Sequence, residues 1–117
     1  MNSEQLYKVI SFTEYLSKDE FIFNKLKIHQ HEIEVIKDYS LNNNLIFCKE
    51  EDNTFVYLDI LLESNQTEIE IFFFKLSDDY FYLRQQITGQ NISCYECDQL
   101  HGLIECLKML KSKYELI

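Results

Sequence analysis

The sequence predicts an α+β fold with N-terminal helices, a five-stranded antiparallel β-meander and a C-terminal helix. Five segments after position 44 are rich in the β-branched and aromatic residues that are typical of strands. The polar breaks between these segments have the length of hairpin loops, so neighbouring strands should run antiparallel. The last segment instead repeats Leu and Ile at helical spacing.

The N-terminal third predicts helices. Asn2 or Ser3 can cap a first helix, and its apolar stripe would contain Leu6, Val9, Ile10 and Leu16. The stretch Ser17–Glu20 has the spacing of a capping box and indicates the start of a second helix, which we expect to continue through the twenties. The apolar residues of 32–38 fit neither the helical nor the strand period cleanly, so this stretch is left undecided between helix and strand.

The remaining elements follow from turn residues and periodicity. The predicted strands are Leu45–Lys49, Phe55–Glu63, Thr67–Leu76, Tyr80–Ile87 and Ile92–Cys97. A final helix is predicted from Asp98, which can cap it, to Tyr114. Its apolar stripe consists of Leu100, Leu103, Ile104, Leu107 and Leu110.

Loop lengths predict the strand register, and the register decides which side chains share a face. A two-residue turn at Asn65-Gln66 places Leu58 opposite Phe73, and a three-residue turn at 77–79 places Phe73 opposite Leu83. The core face, which the C-terminal helix should cover, would then carry Val56, Leu58, Ile60, Leu62, Ile69, Ile71, Phe73, Phe81, Leu83 and Ile87.

The opposite, outer face is unusually aromatic. The same registers align Tyr57, Phe74 and Tyr82 in one row and Asp59, Phe72, Arg84 and Tyr95 in the next. Either the N-terminal helices cover this face, or it binds a partner or a second copy, because Tyr, Phe and Arg are common in binding hot spots. We expect the end with Tyr57, Tyr82 and Arg84 to be open.

Length and charge restrict the class of protein. The 117 residues predict a single domain, and 20 acids against 11 bases give a net charge of −9. This charge opposes non-specific binding to nucleic acid or to anionic membranes. With neither a secretory signal nor a transmembrane stretch, we expect a cytoplasmic protein with four reduced cysteines. The absence of Ala and Pro, with two Gly and one Arg, indicates an AT-rich genome.

Five carboxylates occur in two turns, Glu50, Glu51 and Asp52 in one and Asp78 and Asp79 in the other. In the predicted meander both turns lie at the same end of the sheet, and we call this group the acidic rim. Such a rim suits a basic protein partner. The alternative is that acids simply favour exposed turns.

Four potential metal ligands occur within 13 residues, as Cys94-x-x-Cys97-x-x-x-His101-x-x-x-x-Cys106. The motif resembles the zinc knuckle of nucleocapsid proteins, with a second gap that is one residue short. Such a set could hold zinc. However, Cys94 and Cys97 have opposite strand parity, and His101 and Cys106 lie about 140° apart around the predicted helix. We therefore expect buried thiols and no cofactor.

No nucleophile elbow, phosphate loop or Gly-rich fingerprint occurs, so we do not expect an enzyme. Glu68 and Glu70 are interpreted as a solvated strand edge rather than a catalytic dyad. The favoured hypothesis is a small acidic binding protein that neutralises a basic protein, as immunity proteins and phage-type inhibitors do. Its expected contacts are the acidic rim together with Tyr57, Asp59, Tyr82, Arg84 and Tyr95. A zinc-binding module, and a homodimeric assembly or chaperone subunit that pairs through the outer face, are the alternatives.

Overall fold

A six-stranded antiparallel sheet forms the centre of the fold in the computed structural model, which describes residues 6–20, 25–62, 67–87 and 90–115. The elements are β1 (Tyr7–Ile10), α1 (Phe12–Asp19), α2 (Gln30–Asn42), β2 (Ile46–Lys49), β3 (Val56–Leu62), β4 (Thr67–Ser77), β5 (Tyr80–Ile87), β6 (Gln90–Asp98) and α3 (Gln99–Glu115). The strand order is β1-β6-β5-β4-β3-β2. The α+β class and the five-stranded meander are confirmed, and β1 is an additional strand.

The predicted first helix is wrong at its start, because residues 7–10 form a strand that pairs with β6. The apolar residues of this segment fit both periods, and the open edge of β6 offers hydrogen bonds that favour the extended form. The helix begins only after Ser11, whose hydroxyl accepts the Glu14 N–H at 3.0 Å. The predicted caps Asn2 and Ser3 lie outside the described residues.

The segment between α1 and β2 also differs from the prediction. Helix α1 ends at Asp19, where a second helix was expected to begin, and residues 21–24 are not described. Residues 25–29 cross one end of the sheet in non-helical form, with the Leu26 and Ile28 amides donating to the carbonyls of Lys75 and Asn53. The undecided residues 32–38 are helical and belong to α2.

The predicted core face is confirmed wherever its side chains are described. Helices α2 and α3 both pack on it, α2 through Ile33 and Ile36. The side chains of Ile60 and Leu62 fall outside the description. From the sheet, the cluster and the residues packed against it include Val56, Leu58, Ile69, Ile71, Phe73, Phe81, Leu83 and Ile87; from α3 they include Leu103, Cys106, Leu107 and Leu110.

One predicted register is shifted by two residues. Leu58 lies opposite Ile71 rather than Phe73, since Leu62 pairs with Thr67 and four residues connect the two strands instead of two. An even shift leaves every side chain on its predicted face, which is why the core prediction holds. The pairing of Phe73 with Leu83 is confirmed. None of the described helices has the length and apolarity required to span a membrane.

Candidate partner-binding site

Helix α1 covers part of the outer face of the sheet. Its Tyr15 is buried and meets Phe74 edge-on, with ring centroids 5.5 Å apart, and Phe74 stacks on Tyr82 at 5.6 Å. Ile10 and Cys94 complete this second apolar cluster. The end of the outer face that carries Tyr82 is therefore covered, so the expectation that it is open is wrong.

Tyr82 is consequently not available as a surface contact. Its ring is buried, and burial together with the charge and hydrogen bond of Glu96 raises the pKa of its hydroxyl to about 12. The helix that buries it begins at a cap, Ser11, that the sequence analysis did not identify. Tyr57 lies on the outer face in the register, opposite Phe72, but its side chain is not described.

The predicted place of Tyr95 on the outer face is also wrong. Tyr95 pairs with Leu83 and Val9, is buried in the core, and meets Tyr7 edge-on. The reason is an irregular register between Gln85 and Gln86, which shifts the pairing of β5 with β6 by one residue relative to the prediction. A one-residue shift moves each side chain of β6 to the other face.

Arg84 lies at the boundary between the covered and the uncovered parts of the outer face. Its guanidinium carbon is 5.0 Å from the ring centroid of Phe72 and 5.6 Å from that of Tyr15. Its neighbours in the register are Phe72 and Cys94, whereas Tyr95 had been predicted in place of Cys94. Within the described residues its buried Nε has no hydrogen-bond partner, and the guanidinium lies over the rings of Phe72 and Tyr15.

Beyond Arg84, three carboxylates gather on the same face. Asp59 lies opposite Glu70, and Glu68 is the preceding outward residue of β4; we call these three residues the acidic triad. Their carboxylate oxygens lie within 4.8 Å of one another. Asp59 was predicted as a contact, whereas the two glutamates had been assigned to a solvated edge. Their alternation with Ile69 and Ile71 is the signal that places both on the outer face.

Two members of the acidic triad, Asp59 and Glu70, have raised pKa values. Partial burial is the main cause that raises the pKa of Asp59 and of Glu70, and the neighbouring carboxylates raise both further. The positive charge of Arg84 offsets part of this rise in the pKa of Glu70. One oxygen of Asp59 is buried and accepts no hydrogen bond from any described residue. Because their pKa values are raised in the folded protein, these acids lower its stability at neutral pH, and the loss is regained as the pH falls through their pKa range.

The turns of the acidic rim lie at the same end of the sheet, as predicted, since they precede β3 and follow β4. The rim is not purely acidic, however, because residues 25–29 cross this end of the sheet. Hydrogen bonds from Thr54 and the charge of Lys27 lower the pKa of Asp52. Asp78 lies 3.9 Å from the ammonium of Lys75. Part of the rim charge is thus already compensated.

The four ligands of the zinc motif do not converge. Cys94 belongs to the cluster beneath α1 and Cys97 to the core on the other face, as their parity predicts. A hydrogen bond with the Cys106 thiol and burial raise the pKa of Cys97, and His101 is exposed. In the part of the chain that is described, the acidic triad is the group able to offer three ligand atoms to one cation, with the oxygen chemistry that hard ions prefer.

Comparison with known proteins gives no relative. The chain matches no protein-family model, no curated protein and no solved structure.

Removal of the Arg84 guanidinium is expected to destabilise the protein. Arg84→Ala should lower the free energy of unfolding by about 2 kcal/mol, because the rings of Phe72 and Tyr15 lose a stacked cation and its covering methylenes. Arg84→Lys should lose about half as much, since an ammonium stacks less well. Urea unfolding measures both. The control is Lys8→Ala, an exposed cation on the same face, with an expected cost below about 0.5 kcal/mol. A loss for Arg84→Ala no larger than this control contradicts the stacking role.

Proposed function

We propose that this protein is a small acidic binding protein that neutralises a basic protein partner, in the manner of immunity proteins and phage-type inhibitors. The observation that supports the proposal best is the acidic triad on the outer sheet face, beside Arg84 and Phe72. The net charge of −9 supports it further, because long-range attraction accelerates encounter with a basic surface. The proposal includes no catalytic step.

The arrangement of the acidic triad suits a cationic side chain of the partner. Burial and neighbouring carboxylates disfavour the charged forms of Asp59 and Glu70, so these two acids gain more from an added Lys or Arg than isolated surface acids do. Arg can also donate to two carboxylate oxygens at once in a bidentate contact. The acidic rim, at the end of the sheet, contributes by steering the partner, so its effect is expected on the association rate.

Self-association through the outer face is less well supported. A two-fold dimer is isologous, so it would bring the acidic triads of both copies into one interface and add repulsion. The observations on this face therefore favour a partner of opposite charge over a second copy.

The proposal is tested by affinity capture from the source cell, followed by binding measurements with the purified captured protein. Glu68→Gln/Glu70→Gln should weaken binding by at least about tenfold, chiefly through faster dissociation, because the charges that would hold the partner's cation are gone. The free energy of unfolding should stay equal or rise slightly, since repulsion is relieved. Affinity for the partner should also fall as the pH drops through the raised pKa range of Asp59 and Glu70.

The matched control is Glu50→Gln/Glu51→Gln, which removes the same charge from the acidic rim. It should slow association and make it less sensitive to salt, with the dissociation rate unchanged. Equal losses for both double variants would show that only net charge matters. Capture of no basic protein, or unchanged affinity after neutralisation of the acidic triad, would overturn the proposed function.

A further inference from the structure

Helix α1 leaves two large apolar side chains exposed beside the uncovered part of the outer face. Phe12 is 39% and Leu16 is 38% exposed, although the neighbouring Tyr15 is buried against the sheet. Residues four apart lie on one side of a helix, so Phe12 and Leu16 form a short apolar ridge. Tyr15 holds α1 on the sheet through Phe74 and Arg84, and the exposed parts of Phe12 and Leu16 remain available for a further contact.

The direction of this ridge follows from the positions of Tyr15 and Glu14. The Tyr15 ring faces the sheet, 5.5 Å from the ring of Phe74 and 5.6 Å from the guanidinium carbon of Arg84. Glu14 lies on the flank nearer Tyr82, whose pKa its charge helps to raise, and Tyr82 lies on the acidic-rim side of Arg84 in β5. At about 100° per residue, Phe12 and Leu16 are each about 160° from Glu14 around the helix. The apolar ridge therefore lies on the opposite flank, toward Arg84 and the acidic triad.

These features form an amphipathic strip of surface, which we call the outer groove. Its apolar side is the ridge of Phe12 and Leu16, and its polar side runs from Phe72 and Arg84 to the acidic triad. Apolar and acidic surfaces side by side are matched by a segment that carries aliphatic and cationic side chains together.

We propose that the outer groove binds a cationic, amphipathic segment of the partner protein, with an aliphatic or aromatic side chain against the apolar ridge and a Lys or Arg at the acidic triad. This inference rests on the proposed function and adds the chemistry of the recognised segment. Charge complementarity identifies the occupant: a second copy would bring further carboxylates, and an anionic membrane surface would be repelled by the same residues. The acids thereby select a positively charged partner. The ridge adds an apolar contact, and salt does not screen its contribution to the binding free energy.

The probe is a synthetic twelve-residue peptide of alternating Lys and Leu, compared with an alternating Lys and Ser peptide of equal charge. Both are titrated into ¹⁵N-labelled protein at two salt concentrations. The Lys-Leu peptide should bind at least about tenfold more tightly than the Lys-Ser peptide and shift the amides of Phe12, Leu16, Glu68 and Glu70. Leu16→Ser should reduce this preference to about twofold, whereas Val35→Ser, a change of similar exposure on α2, should leave it intact.

The outcomes separate this inference from the proposed function. If neutralising the acidic triad weakens binding of the captured partner but Leu16→Ser does not, the function stands and the groove is wrong. Equal affinity of the two peptides, or amide shifts confined to the acidic rim, would also overturn the groove. Sedimentation of the free protein tests whether a second copy of the chain occupies the ridge instead. A dimer that dissociates in the Leu16→Ser variant would show that it does.

Discussion

Lys75→Met is expected to lower the free energy of unfolding by about 3–5 kcal/mol, because it leaves a buried carboxylate without its cation. Lys75 lies on the core side of β4 and only 2% of it is exposed. Its ammonium is 2.8 Å from an oxygen of Glu32, and the same oxygen accepts the His29 N–H at 3.0 Å. This ion pair therefore joins the first turn of α2 to the centre of the sheet.

The double variant Lys75→Met/Glu32→Gln tests whether the two buried charges stabilise the protein as a coupled pair. With both charges gone, most of the loss should be recovered, since Gln can still accept the His29 N–H and Met can fill the space beside Phe81. Asp78→Asn serves as the control, because Asp78 is exposed and 3.9 Å from the same ammonium, and its cost should stay below about 0.5 kcal/mol. Urea unfolding of the unsubstituted protein, Lys75→Met, Glu32→Gln and the double variant closes the cycle. Additive losses in the double variant would contradict a coupled pair.

Gly102→Ala should destabilise the protein by about 2–3 kcal/mol, against the direction that helix propensity predicts. Gly102 lies in α3, where Ala would ordinarily gain up to about 1 kcal/mol. A Cβ at this position would lie 2.2 Å from the carbonyl oxygen of Leu6 and 3.2 Å from its carbon. That oxygen also accepts the Asp98 N–H at 2.7 Å, so the backbone before β1 cannot move away without losing a hydrogen bond.

Two measurements identify the cause of this loss. Hydrogen exchange should become faster at the amides of β1 in Gly102→Ala, with the central strands affected only through global unfolding. Ser112→Ala, at an exposed position of the same helix, should gain a few tenths of a kcal/mol, as propensity alone predicts. If Gly102→Ala is as stable as Ser112→Ala, the close approach of α3 to Leu6 does not constrain the fold.

The sequence predicts the strands and their faces because side-chain parity survives errors in loop length. The two-residue error between Leu58 and Phe73 left the core face correct, whereas the one-residue irregularity near Gln85 moved Tyr95 from the surface to the core. A bulge of this kind has no strong signature in one sequence, and here it decided the composition of the candidate site.

The elements that the sequence did not predict depend on contacts between distant parts of the chain. Residues 7–10 are a strand only because β6 offers an edge, and the apolar spacing of the segment is compatible with a helix as well. Lys75 shares the core parity of Phe73, but a charged side chain is rarely buried without a partner, and the partner, Glu32, is distant in sequence. The acidic triad likewise requires the register of β3 with β4, which brings Asp59 opposite Glu70.

The pairing of β1 with β6 has a consequence for how the chain folds during synthesis. Of the described strands, the first in the chain pairs with the last, while the five strands of the meander each pair with the strand before or after them in sequence. The meander can therefore form step by step as hairpins emerge, but β1 must stay unpaired until β6 has left the ribosome. In the interval between the emergence of β6 and its pairing with β1, Cys94 and Tyr95 lie on an open sheet edge that can pair with another molecule.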